Sequence, residues 1–129
     1  MKFEHDFAGD AECWVRISDE VTPTGLSEAV AALLADPAFD GGEPQIWDLR
    51  DARFGAPDST GREARDVLGA ELAPRIEAPL AVVVNPEWDA DTSASVYWLF
   101  CALPAAELFD DWDQGCRWLL ANTARRAST

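Results

Sequence analysis

QIWDLRDARFGAPDSTGREAR, residues Gln45–Arg65, is the stretch whose reading decides the fold. Gln45–Arg50 reads as a short strand, residues 51–57 as a loop, and Ser59 to about Ala73 as a helix. Thr60 and Glu63 stand at capping-box spacing, where a hydroxyl and a carboxylate satisfy the free N–H groups of a helix start. Ala64, Leu68 and Leu72 then fall on one helical face with Val67 beside them, and Arg62, Arg65, Asp66 and Glu71 fall on the solvent side. Pro74 closes the helix. A strand that runs through a polar loop into a helix is the repeating unit of an α/β sheet.

The flanking sequence extends that unit in both directions. Downstream, Leu80–Val84 is a continuous apolar run rich in β-branched residues, the pattern of a strand covered on both faces. Asp91, Thr92 or Ser93 then caps a helix over Ala94–Leu103. It is apolar nearly all round, which predicts burial on more than one side, and Pro104 stops it. Glu107–Asp110 fits a short edge strand. Asp110 or Asp111 caps the last helix, with Trp112, Cys116, Leu119 and Leu120 on one face and Arg117, Arg125 and Arg126 towards its carbonyl end. Upstream, Lys2–Phe7 and Glu12–Ser18 alternate with period two. Joined through Ala8-Gly9-Asp10, they predict an antiparallel hairpin. Thr22-Pro23 opens a helix carrying Leu26, Val30, Leu33 and Leu34 on one face. Asp36-Pro37 ends it, and Asp40–Pro44 is the next turn. The order ββαβαβαβα predicts one mixed sheet of four to five strands, an N-terminal hairpin, about four helices and right-handed crossovers. A single domain spans 1–129, with its core in 2–121 and a frayed tail over 122–129.

Twenty-four acidic against ten basic side chains give a net charge of −14. Such a surface repels phosphate backbones and anionic headgroups, which argues against nucleic-acid binding. Solubility accounts for the acidity first, and attraction to a basic partner second. No apolar run approaches the roughly 20 residues of a spanning helix, and the N-terminus lacks the apolar core of a signal peptide, so a cytoplasmic protein without membrane insertion is expected. Arginine supplies nine of the ten basic residues and alanine is abundant, a composition typical of high-GC bacterial genomes. Cys13, Cys101 and Cys116 have no zinc-ligand spacing and lie in apolar periodic segments. They are expected as buried, reduced thiols, with no metal and no cofactor. The only histidine, His5, alternates with Phe3 and Phe7 and reads as a hydrogen-bonded strand residue rather than a general base.

Several local patterns resemble the SpoIIAA-like fold of STAS domains, and most closely the small bacterial STAS-like proteins of STAS/SEC14 type. The matching pieces are Asp36-Pro37-Ala38-Phe39, Trp47-Asp48-Leu49-Arg50-Asp51-Ala52, Ala81-Val82-Val83-Val84 and the ending that runs from Phe109 to Cys116, Trp118 and Leu119. Together they span Val21 to Leu120. The resemblance implies a non-enzymatic domain that acts by binding protein partners, within a bacterial regulatory pathway. In the anti-sigma-factor antagonists of this family, a serine at the start of the helix after the central strand is phosphorylated. Asp48-Leu49 and Asp58-Ser59-Thr60-Gly61 match that pattern, with a longer loop between them and Arg62 in place of an aliphatic residue.

Three sets of candidate residues follow. Ser59 is the candidate phosphoacceptor, because a phosphate at a helix N-terminus is stabilised by free N–H groups. Its plainer role, shared with Asp58 and Thr60, is capping. Asp48, Asp51, Asp58 and Thr60 mark the corner between the central strand and its helix, where α/β proteins often place function. Trp88, Trp98 and Trp112 are candidates to line a groove for a small apolar molecule or lipid, against the plainer reading of core filling. Trp14 and Trp47 are expected between sheet and helices. Asp110, Asp111 and Asp113 read as caps and dipole partners rather than a converging catalytic set. The first hairpin and the Tyr97–Phe100 segment offer apolar surface for a homodimer.

Overall fold

In the computed structural model, the described residues are 1–8, 12–54 and 59–127, with side chains described except at 59, 60 and 123–127. Most of the expected hairpin turn, and Asp58 at the corner, lie outside them. Five strands form one sheet in the order β1-β2-β3-β4-β5. They are β1 (Lys2–Ala8), β2 (Glu12–Glu20), β3 (Gln45–Arg53), β4 (Leu80–Val83) and β5 (Ala106–Phe109). β1 pairs antiparallel with β2 in the expected hairpin, from Lys2 opposite Ser18 to Ala8 opposite Glu12. The other three pairings are parallel.

The helices are α1 (Pro23–Ala35), α2 (Ser59–Val67), α3 (Ala90–Phe100) and α4 (Trp112–Ala127). From β2 onward each crossover steps one strand in the same direction, so α1, α2 and α3 lie on the same face of the sheet. They enclose the main core of Val15, Ile17, Leu26, Leu33, Trp47, Leu49, Leu68, Leu72, Val82 and Phe100. α4 covers the opposite face, where Leu119 meets Ile46, Ala81 and Val83, with Trp14, Phe109, Trp112 and Trp118 around them. β4 is thus sandwiched, and all four of its residues are buried, as the apolar run predicted.

The local chemistry accounts for most element ends. Thr22 caps α1 by accepting a hydrogen bond from the Gly25 N–H at 3.0 Å, and Pro23 fills its first turn. His5 and the Asp36 carboxylate, 3.0 Å apart, tie β1 to the end of α1, the structural role expected of the lone histidine. α2 loosens into a π turn over Leu68–Leu72 and a 3-10 turn over Ala73–Arg75, where Pro74 removes a backbone donor. Gln45 is fully buried and its amide oxygen accepts from the Trp47 indole N–H at 2.9 Å.

Three expectations are corrected. β3 runs on to Arg53 rather than ending at Arg50, because its second half pairs with Ser18–Glu20. α3 begins at Ala90, capped by Asp89, which accepts from the Thr92 N–H at 2.7 Å. It is covered on one side only, by Val96, Leu99 and Phe100. Tyr97 and Trp98 are exposed by 61% and 43%. On α4, Leu120 is 72% exposed, and Trp118 replaces it on the covered face.

The cysteines also divide. Cys13 is buried, Cys116 is half-buried and Cys101 is exposed, against the expectation of three buried thiols. Burial, with the carboxylates of Glu43, Asp36 and Asp6, pushes the Cys13 thiol up to about 12. A maleimide titration at neutral pH is therefore expected to modify Cys101 rapidly and Cys13 only after unfolding. Equal rates for the two would contradict this placement. The turn before β3 yields a second test. Gly41 has φ +89°, and a Cβ there would stand 2.1 Å from the Arg75 carbonyl oxygen. Gly41→Ala is expected to cost about 3 kcal/mol, read as a lower urea midpoint, from the left-handed backbone and the clash together.

Candidate functional site

Two places concentrate the polar and aromatic residues singled out by the sequence. The first is the middle of β3. Arg16 stands opposite Asp48 and Ser18 opposite Asp51, so the single residue Ile17 of β2 faces two of β3, Leu49 and Arg50. This is a β-bulge, which re-aims side chains where it occurs. Leu49 and Ala52 are both buried, and Arg50 and Asp51 between them are exposed. Beside the bulge, Asp19 takes φ +64°, a left-handed conformation that aspartate tolerates better than most residues.

The bulge gathers two arginines and two aspartates. The Arg16 Nη2 donates to Asp51 Oδ2 at 2.6 Å. The Arg50 Nε and Nη2 donate to Asp48 Oδ1 and Oδ2 at 2.9 and 3.0 Å, a bidentate pair. The Arg50 backbone N–H adds a bond to Asp48 Oδ1 at 3.1 Å. Arg50 also stacks over Trp112, 5.1 Å from the ring centroid, and its carbonyl accepts from the Asn85 side chain at 3.2 Å. These contacts fasten β3 to β2, to the loop after β4 and to the start of α4. Burial alone would raise the Asp48 carboxyl, but the Arg50 hydrogen bonds and the charges of Arg50 and Arg16 outweigh it and hold it below the ordinary value of 3.8.

Asp48 and Asp51 are thus brought together, through Arg16 and Arg50, neither of which the sequence marked as a site residue. Arg16 lies 35 residues from Asp51, and no local pattern connects them. Each carboxylate is occupied by an arginine, which suits a fastening role and leaves no free base. Ser59 and Thr60 open α2, with their side chains outside the description, and Asp58 lies outside the described residues altogether. Among the described residues no group of three or more His, Cys, Asp or Glu is placed to hold a metal ion.

The second place is α3. The three candidate tryptophans do not share one groove. Trp88 packs edge-on against Phe54 at 5.6 Å, beside the main core. Trp112 lies with α4 on the opposite face of the sheet. Trp98 alone stands out on the surface. A small cavity of about 10 Å³, lined by Ala73, Ile76, Leu80, Leu103, Pro104 and Ala105, touches none of the three.

Around Trp98, the exposed residues Ala94, Tyr97, Trp98 and Cys101 follow the spacing i, i+3, i+4, i+7 and form one stripe. Arg65 of α2 lies 4.8 Å from the Trp98 ring centroid, and its Nε donates to the Trp98 carbonyl at 3.1 Å. A Cβ at Gly61 would lie 4.0 Å from the same ring. Residues 92–106 contain no Asp, Glu, Lys or Arg, in a chain that is 26% charged. An outward helix face normally carries charges, and this helix carries none after Asp91.

No family model matches the chain, and no curated protein matches it in sequence. No helix among the described residues is long and apolar enough to cross a membrane.

The bulge network has a pH consequence. A carboxyl held below its ordinary value stabilises the fold fully above that value and loses the contribution as pH falls through the folded value. Asp48→Asn is therefore expected to flatten the acid side of the stability–pH curve, and to cost about 1 kcal/mol at neutral pH, where the pair is partly screened. Urea unfolding across pH measures both. An unchanged acid side would show that Arg50 does not hold Asp48 charged.

Proposed function

We propose that the chain is a non-catalytic α/β interaction domain that engages another protein through the outer face of α3. The observation that carries this reading is the Ala94–Tyr97–Trp98–Cys101 stripe, aromatic, exposed and free of charge on a strongly acidic molecule. Tyrosine and tryptophan in that setting are typical anchors of protein interfaces. The STAS-like resemblance points to the same class of function. A groove for a small apolar molecule finds less support, since Trp88 and Trp112 are engaged on opposite faces of the sheet.

A second reading, which the resemblance implies, makes Ser59 at the start of α2 a phosphoacceptor whose modification would add about two negative charges and alter partner binding.

Affinity capture from the native cell extract tests the proposal. The tagged chain is compared with Trp98→Asp and with Glu28→Lys, a charge change at an exposed position of α1. Proteins recovered by the wild type are expected to persist with Glu28→Lys and to be lost with Trp98→Asp, with circular dichroism unchanged. Recovery that ignores Trp98→Asp would place the interface elsewhere.

A further inference from the structure

We propose that the turn Asp40–Glu43 is a pH-sensitive clasp, which ties the segment after α2 to the start of β3 while its two carboxylates share a proton and loosens when both are charged. It would operate whatever binds at α3. Both acidic side chains fold back over the same four residues. Asp40 Oδ1 accepts from the Gly42 N–H at 2.7 Å. Glu43 Oε2 and Oε1 accept from the N–H groups of Asp40 and Gly41, each at 3.3 Å. Two carboxylates gathered on one short turn repel when both are ionised, whereas a single proton between them makes a hydrogen bond.

The turn is also a junction. The Gly41 carbonyl accepts from the Glu77 N–H at 2.9 Å, and the Pro44 carbonyl just beyond accepts from the Cys13 N–H at 2.9 Å. Gly41 is buried, with its backbone against the Arg75 carbonyl. Opening of the turn would therefore release residues 75–77 locally. The charged groups around it are mostly acidic. Asp36 stands at the end of α1, bonded to His5 of β1. The Cys13 thiol of β2 feels the carboxylates of Glu43, Asp36 and Asp6 together. Glu77 adds another carboxylate, and the Arg75 guanidinium is laid over the Phe39 ring, 5.9 Å from its centroid. Burial, and then the hydrogen bond with Asp40, raise the Glu43 carboxyl above its ordinary 4.5. The Glu43 hydrogen bond, and then the Gly42 N–H, hold Asp40 below its ordinary 3.8. A raised carboxyl stabilises below its ordinary value and loses the contribution as pH rises through the folded value. A lowered one stabilises above its ordinary value and loses the contribution as pH falls through the folded value. The two overlap at about pH 4, where the pair holds one proton, and the clasp loosens from there towards neutral pH.

Native-state hydrogen exchange of the full chain, followed by NMR from about pH 4 to about pH 7, tests this at the Glu77 amide. Rates are corrected for intrinsic exchange and compared with the Val82 amide of the buried strand β4, which reports global opening. In the wild type, protection of Glu77 relative to Val82 should fall severalfold as pH rises. Glu43→Gln keeps a neutral group able to donate to Asp40, and its relative protection should stay level with pH. Asp40→Asn, which removes the other charge, should level it too, so the test survives if one variant disturbs the turn. Histidine also changes charge over this range, so His5→Gln is measured beside them. His5 bonds Asp36 and not the turn, and its variant should keep the wild-type fall. Relative protection that is level in the wild type, that falls alike in both carboxylate variants, or that His5→Gln makes level overturns the proposal.

Discussion

Burial of β4 on both faces is the constraint on which the rest of the molecule depends. Leu80, Ala81, Val82 and Val83 expose almost nothing, so helices must lie on either side of them. The parallel strands and their one-step crossovers supply α1, α2 and α3 to one face, and only α4 remains for the other. α3 joins β4 to β5 at the end of that helical layer, with α2 on one side of it. Its inner face closes the core through Val96, Leu99 and Phe100, and its outer face is left to solvent or to another protein.

The fold was largely legible in the sequence because its signals are local. The period-two alternation of the first hairpin, the Thr22-Pro23 start and the Leu80–Val84 run each depend on neighbours in the chain, and each became the expected element, the last as a strand over Leu80–Val83. What depends on distant partners was not legible. β3 extends past Arg50 because β2 continues beside it, and the bulge that pairs Arg16 with Asp51 is fixed only when the strands meet. Exposure of Cys101, Tyr97, Trp98 and Leu120 depends on which side of a helix has a neighbour, and an apolar composition cannot say. The start of α3 was misplaced because four residues, Asp89, Asp91, Thr92 and Ser93, are all competent caps. The choice among them depends on the backbone leaving β4.

Two surfaces with opposite chemistry result. The bulge on β3 saturates its charges internally, with Asp48 and Asp51 each held by an arginine and Arg50 stacked on Trp112. Its energetic weight is modest because it is half-exposed, and its effect is to fix three elements in place. The α3 face holds aromatic surface with one arginine laid across it. Elsewhere the chain is strongly acidic, with a net charge of −14.

The most direct measurement places a photoreactive phenylalanine analogue at position 97, and separately at position 28 on the exposed side of α1, and irradiates intact cells. A covalent adduct heavier than the chain itself from position 97, and none from position 28, is the result this account predicts. No adduct from position 97, or equal yields from both positions, would contradict it.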